Sequence, residues 1–84
     1  MKTKYTGVIH IRRLRWDEAK LKLMKELDLL YLQGVRKVKI IHGKGSGKLR
    51  EMVCEYIKNQ PFVEKFNEAP FFEGGPGVTI VYLK

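Results

Sequence analysis

The sequence predicts a small α/β domain with the element order βαβαββ. Three observations point there. Short stretches rich in β-branched residues read as strands, and two longer stretches repeat apolar residues every three or four positions, as helices do. Clusters of Gly and Pro fall between these segments. With 84 residues, the chain reads as one domain, 1–84, with a thin core. Two helices on one sheet is about the largest architecture it supports.

The first strand is predicted over Tyr5–Arg12, where Ile9 and Ile11 alternate with His10 and Arg12. Trp16–Gln33 reads as a helix, because Trp16, Ala19, Leu23, Met24, Leu27, Leu30 and Tyr31 form one apolar stripe. Asp17 and Glu18 suit its first turn, where carboxylates favour the helix dipole, and Gly34 stops it. Arg36–His42 is the second strand. Its Val38 and Ile40 point to the core, and Lys37 and Lys39 point away from the helices to a solvated face. The second helix runs from Lys48 to about Asn59 with Leu49, Met52, Val53, Tyr56 and Ile57 inward, and Pro61 ends it. Val63–Ala69 is a strand of irregular pattern, since Phe62, Val63 and Phe66 do not alternate. Gly74–Gly77 is a turn, and Val78–Leu83 is a continuous β-rich last strand.

Crossovers between parallel strands are right-handed in nearly all cases. The first three strands are therefore expected to be parallel and the last, returning by a hairpin, antiparallel. This arrangement brings the ends of the first two strands and the Gly74–Gly77 turn to one edge of the sheet, the edge at which open α/β sheets bind ligands.

Seventeen Lys and Arg against nine Asp and Glu leave a net charge of +8. So dense a positive surface attracts polyanions, nucleic acid first, and an anionic membrane surface or an acidic protein after it. A single cysteine, Cys54, excludes an internal disulfide, no Cys/His cluster has zinc spacing, and a cytoplasmic location follows. No apolar run approaches the ~18 residues of a membrane span. Met1–Lys4 leads into no signal-type apolar region.

The strongest local signal is Ile40-Ile41-His42-Gly43-Lys44-Gly45-Ser46-Gly47-Lys48-Leu49-Arg50. A strand delivers a histidine, then glycines alternate through a loop that opens a helix. The helix start carries unpaired N–H groups, and Lys44, Lys48 and Arg50 add full charges, which together suit a phosphate. Named nucleotide loops do not fit: Leu49 stands where a Walker A loop needs a hydroxyl, and the glycine spacing is not that of a dinucleotide fingerprint. No cofactor is implied. Arg12, Arg13 and Arg15 follow the first strand at the same edge and match phosphate with bidentate guanidinium groups. His42 is the side chain placed for proton transfer near neutral pH. If the first two strands are neighbours ~4.8 Å apart, His10 and His42 form a candidate acid–base pair on a phosphodiester. Trp16 reads as core. Phe71 and Phe72 read either as base-stacking groups or as cover for the end of the core.

The stretch His42–Arg50 resembles the His-Gly-x-Gly motif of the Smr (small MutS-related) domain, with the small residue, Gly, Leu and Arg that follow it. Ala69-Pro70 and then Gly74-Gly75-Pro76-Gly77-Val78-Thr79 resemble that family's second motif. The resemblance spans about Val8 to Leu83. It implies a two-layer sandwich in which both helices lie on one face of a four-stranded mixed sheet. It also implies binding of DNA or RNA, with Gly43, Gly45, Ser46, Gly47, Gly75 and Gly77 joining the cations at the phosphate. Several members are endonucleases. The domain occurs alone or at the C-terminus of MutS-type proteins linked to recombination suppression and ribosome rescue, so further domains of the same polypeptide and the ribosome join the candidate partners.

One departure bears on activity. Where the family's first strand carries Leu-Asp-Leu-His/Arg-Gly, this chain has Ile9-His10-Ile11-Arg12-Arg13. The acidic position is His10 and the glycine is Arg13. No carboxylate cluster suggests a metal. Two readings stand at this level: a nucleic-acid-binding domain with weak, sequence-independent nicking activity, and a non-catalytic module docking DNA, ribosomal RNA or an acidic protein.

Overall fold

A computed structural model describes residues 6–84; Tyr5, the predicted start of the first strand, and Met1–Lys4 lie outside the described residues. The elements are β1 (Thr6–His10), α1 (Trp16–Leu32), β2 (Lys37–Ile41), α2 (Lys48–Lys58), β3 (Val63–Glu68) and β4 (Val78–Leu83). Two 3-10 turns, Phe71–Glu73 and Gly75–Gly77, precede β4. The sheet order is β1-β2-β4-β3. β1 and β2 are parallel, and β4 runs antiparallel to both β2 and β3. The predicted order and strand directions hold.

Ile9 and Ile11 of the β1 segment, Val38 and Ile40 of β2, and Val81 and Leu83 of β4 face the helices. There they meet Ala19, Leu23 and Leu27 of α1 and Met52, Val53 and Ile57 of α2 in one buried cluster. Both helices thus cover the same face. Each large side chain fully buried here stabilises the fold by roughly 1.5–3 kcal/mol. The other face carries a smaller cluster, Ala69, Val78 and Ile80, with Ile41 and Tyr82 packed against it. Lys37 and Lys39 do point away from the helices, but not into bulk solvent. Lys39 reaches Glu73 at 3.8 Å, and Lys37 lies over the Tyr82 ring.

β4 lies between β2 and β3 and is buried along nearly its whole length. A strand covered on both faces reads as a continuous apolar run rather than an alternation. β3 is an edge strand whose register against β4 shifts between Val63 and Lys65. A bulge of this kind breaks the period of two, which is why its pattern looked irregular.

The α1 stripe is narrower than its sequence suggests. Ala19, Leu23 and Leu27 are buried, while Trp16, Met24 and Tyr31 are not. One sheet face and one neighbouring helix can cover only a single i, i+4 ridge of a helix packed on a thin domain. Tyr31 instead stacks on Phe62 with ring centroids 4.5 Å apart. Trp16 is not core; it stands at the helix start, half exposed. The helix begins with Glu18 accepting a hydrogen bond from the Arg15 N–H, the reach-back half of a capping box. Among the described residues, no helix is long and apolar enough to cross a membrane.

Candidate nucleic-acid interface

The strand order sets three chain segments side by side at one end of the sheet. They are the exit from β1 (Arg12–Trp16), the exit from β2 (Gly43–Gly47) and the entry to β4 (Gly74–Val78). They are stitched together through the backbone. The Ile11 N–H donates to the Ile41 carbonyl at 3.0 Å, and the His42 and Gly43 N–H groups both donate to the Gly77 carbonyl, at 3.1 and 2.9 Å. Gly43 sits where the three segments meet. A Cβ there would lie 3.0 Å from the Arg12 Cγ, so the missing side chain lets the Arg12 stem lie across the loop.

Between these segments opens a cleft of about 890 Å³. Arg12, Arg13, Lys44, Lys48 and Arg50 line it, with Trp16 as a wall, and among the described residues no Asp or Glu does. Arg50 is partly engaged, 3.3 Å from Glu68 in an exposed pair, which holds it weakly. The other four cations make no salt bridge among the described residues.

α2 starts in this cleft from Gly47, at φ 87°, with no side-chain cap on its first turn beyond a long 3.4 Å bond from the Lys48 N–H to the Ser46 hydroxyl. The N–H groups of Leu49 and Arg50 therefore keep no intramolecular acceptor, as the first turn of a helix requires. Their partial positive charge points at the cations' own focus. Arg13 has φ 72°, a conformation costly for any residue with a Cβ.

His42 is 4% exposed, and both ring nitrogens have partners. Nδ1 lies 2.9 Å from the Gly43 carbonyl, and Nε2 lies 2.8 Å from the Thr79 hydroxyl. A carbonyl only accepts, so Nδ1 carries the proton and Nε2 accepts from Thr79. Burial pushes the His42 pKa below its usual 6.5; the Gly43 bond opposes this, and the positive charge of Arg50 adds to it. The ring is neutral at pH 7 and braces the base of the loop.

The structure does not bring the two histidines together. His10 pairs in register with Ile41, which packs against the cluster on the open face. His42, one residue later, points the other way, toward Thr79. A step of one residue along a strand reverses the face. His10 is exposed and is not among the cleft walls. Of the second turn's predicted glycines, Gly77 lines the cleft and Gly75 does not. The N–H groups of Gly75 and Gly77 donate to Pro70 and Gly74 within the turn, so neither offers a free amide to a ligand. Gly77 contributes to the cleft a backbone wall and the carbonyl that holds the loop. Arg12, Arg13, Gly43–Lys48 and Arg50 are all gathered there. The sequence reading missed Trp16 as a wall and Thr79 as the partner of His42. Thr79 was visible only as a polar residue inside an apolar strand.

The sequence pattern that defines the Smr domain matches residues 9–84. The chain belongs to the Smr domain family. It is 50% identical over 76 residues to Endonuclease MutS2 of Carboxydothermus hydrogenoformans, which covers 90% of this chain and 10% of that protein. It is 43% identical over 76 residues to Endonuclease MutS2 of Geobacillus kaustophilus, with the same coverage. This Smr domain thus spans about a tenth of the length of the curated relatives it matches. The crystal structure of the Smr domain of Thermus thermophilus MutS2 superposes with a TM-score of 0.88 at 36% identity, covering 93% of this chain and 98% of that one. YdaL, a stand-alone small MutS-related protein of Escherichia coli, shares the fold with a TM-score of 0.87 at 23% identity, covering 96% of this chain and 69% of that one. Of the two departures from the family's first motif, His10 falls off the cleft of this Smr domain and Arg13 falls on its wall.

Proposed function

We propose that this Smr domain seats the phosphate backbone of DNA or RNA in the cleft and does not read sequence. The observation that carries this reading is the composition of the walls: five cations and an uncapped helix start face one space with no carboxylate. Backbone contacts position a protein on nucleic acid without specifying bases. In this reading Lys44, Lys48, Arg12 and Arg13 hold the phosphate with the amides opening α2. His42 is a positioning residue that keeps the loop in shape. Such a module, cytoplasmic and joined to further domains, would place a larger protein on DNA or ribosomal RNA.

Phosphodiester cleavage is the second reading. It is favoured by the name endonuclease borne by relatives 50% and 43% identical in this region. It requires His42 to give up its bond to Thr79 before Nε2 can take a proton, or another group to carry that proton.

The test is binding and cleavage of supercoiled plasmid and of a structured RNA, with and without EDTA. Wild type is compared with His42→Ala and with Lys44→Ala/Lys48→Ala. The expected result is binding that weakens steeply with salt and falls about 30-fold in the lysine variant, while His42→Ala lowers binding and any cleavage together. Cleavage lost in His42→Ala with binding intact would establish His42 as the proton carrier and the domain as a nuclease. Binding indifferent to salt and to both lysines would overturn the phosphate reading.

A further inference from the structure

Three large aromatic side chains stand exposed on the segments that build the cleft: Trp16 lines it, and Phe71 and Phe72 precede Gly74, which also does. Phe71 is 90% exposed and Phe72 83%, and neither belongs to the apolar clusters on either face of the sheet. They sit on the 3-10 turn Phe71–Glu73, which leads into the Gly74–Gly77 turn. That second turn is fixed to the phosphate loop through the Gly77 carbonyl. Trp16, 49% exposed, forms a wall of the same cleft beyond Arg12 and Arg13. The sheet order β1-β2-β4 decides their placement. The phosphate loop leaves the middle strand, Trp16 follows the strand on one side, and the two phenylalanines precede the strand on the other. Along this end of the sheet, segments bearing exposed aromatics therefore lie on both sides of the segment that carries the cationic loop.

A cationic track bordered by aromatic faces is the arrangement that binds single strands without sequence preference, because every base has a π-face to stack. In a duplex those faces are covered by neighbouring base pairs. We infer that the ligand of this cleft is nucleic acid with unpaired bases: a backbone phosphate sits on the Gly43–Gly47 loop, and the bases flanking it stack on Trp16 on one side and on Phe71 and Phe72 on the other. The inference rests on the phosphate reading above and names the substrate class for it. The cations alone would take duplex and single strand alike; the flanking aromatics favour the single strand.

The experiment measures affinity for a short oligo(dT), a blunt duplex of the same length, and an abasic strand that keeps the phosphates and lacks the bases, all at one salt concentration. Trp16 is the chain's one tryptophan, so its fluorescence reports stacking at that wall directly. The expected result is oligo(dT) binding about tenfold or more tighter than either the duplex or the abasic strand, the gain that a stacked base supports. Trp16 emission should be quenched by oligo(dT) only. Phe71→Ala/Phe72→Ala should lose about tenfold for oligo(dT) and nothing for the duplex; both side chains are so exposed that folding should be unaffected. Trp16→Leu should behave alike, with Trp16→Tyr restoring affinity. Duplex binding as tight as oligo(dT), or aromatic variants indistinguishable from wild type, would overturn the inference and leave the phenylalanines to a protein contact. Loss of all binding in Lys44→Ala/Lys48→Ala would still uphold the phosphate reading in that case. A wild-type domain that binds none of the three strands would sink both.

Discussion

Two glycine-rich turns meet at the cleft, and they do opposite things. The Gly43–Gly47 turn leads into a helix, and the Gly74–Gly77 turn leads into a strand. A helix cannot pair the N–H groups of its own first turn, so the first turn ends in donors aimed at the cleft. A strand takes up its N–H groups in the ladder, and the second turn spends the amides of Gly75 and Gly77 on its own Pro70 and Gly74 carbonyls. What it gives outward is a carbonyl, from Gly77, which grips His42 and Gly43. Glycine spacing alone does not say which turn can bind an anion; the element that follows does. One turn is the binding surface and the other is its clamp, with His42 and Thr79 as the bolt between them.

The largest expected effect breaks the binding turn alone. Lys44→Ala/Lys48→Ala should weaken binding about 30-fold at low salt and reduce the slope of log affinity against log salt by about 1.4 on single strands, 0.7 per lost phosphate contact. Thermal stability should be unchanged. The clamp should respond the other way. At Gly74 the backbone has φ 121°, and a Cβ would lie 2.3 Å from the Cγ2 of Val78, a buried, branched residue with no room to turn. Gly74→Ala should cost about 1–3 kcal/mol in urea unfolding, with binding weakened only as far as the loop loses its support.

The bolt comes next. Thr79→Val keeps the shape but leaves Nε2 of a buried histidine without a partner, at a cost of about 1–2 kcal/mol. The same residue sets a pH dependence. Because burial holds the folded pKa of His42 below 6.5, the unfolded chain takes up a proton first as pH falls. The contribution of neutral His42 is therefore complete above pH ~6.5 and is lost as pH drops from there toward the folded pKa, with a slope of at most about 1.4 kcal/mol per pH unit. His42→Asn should flatten that part of the profile of unfolding free energy against pH. The smallest effect sharpens the comparison from a third segment. Arg13→Gly should relieve the φ 72° conformation and raise stability by about 0.5–1 kcal/mol. The same change should lower affinity a few-fold, as expected of an arginine kept in a costly backbone conformation for its charge.

Much of the fold was legible because its signals are local. The periodicity of α2, the unbroken run of β4 and the Gly43–Gly47 breaker each follow from a few neighbouring residues. What was missed depends on partners distant in sequence. Trp16 falls on the helical period of the α1 stripe, but whether a stripe residue is buried depends on what stands opposite, and at that end of the sheet the cleft does. His10 and His42 look equivalent as histidines at the ends of adjacent strands. The parity of one residue sends them to opposite faces, and only the register of β1 against β2 fixes that. Thr79 is 37 residues from His42, and no pattern within either segment links them. The cations of the site were found readily because charge and glycine are visible without any partner. For Gly75 and Gly77 a motif gives their presence and not the direction of their N–H groups, which turn back onto Pro70 and Gly74.

The most direct test of the phosphate cleft is a titration of the isotope-labelled domain with oligo(dT), followed by backbone amide and Trp16 indole NMR shifts at low salt. The expected result is that the largest shifts fall on Lys44–Arg50, with smaller ones on Arg12–Trp16 and Phe71–Gly77, and that all of them need about 30-fold more oligo(dT) in Lys44→Ala/Lys48→Ala. Shifts confined to the outer face of α1 or to β3, with the Gly43–Gly47 amides unmoved, would contradict it.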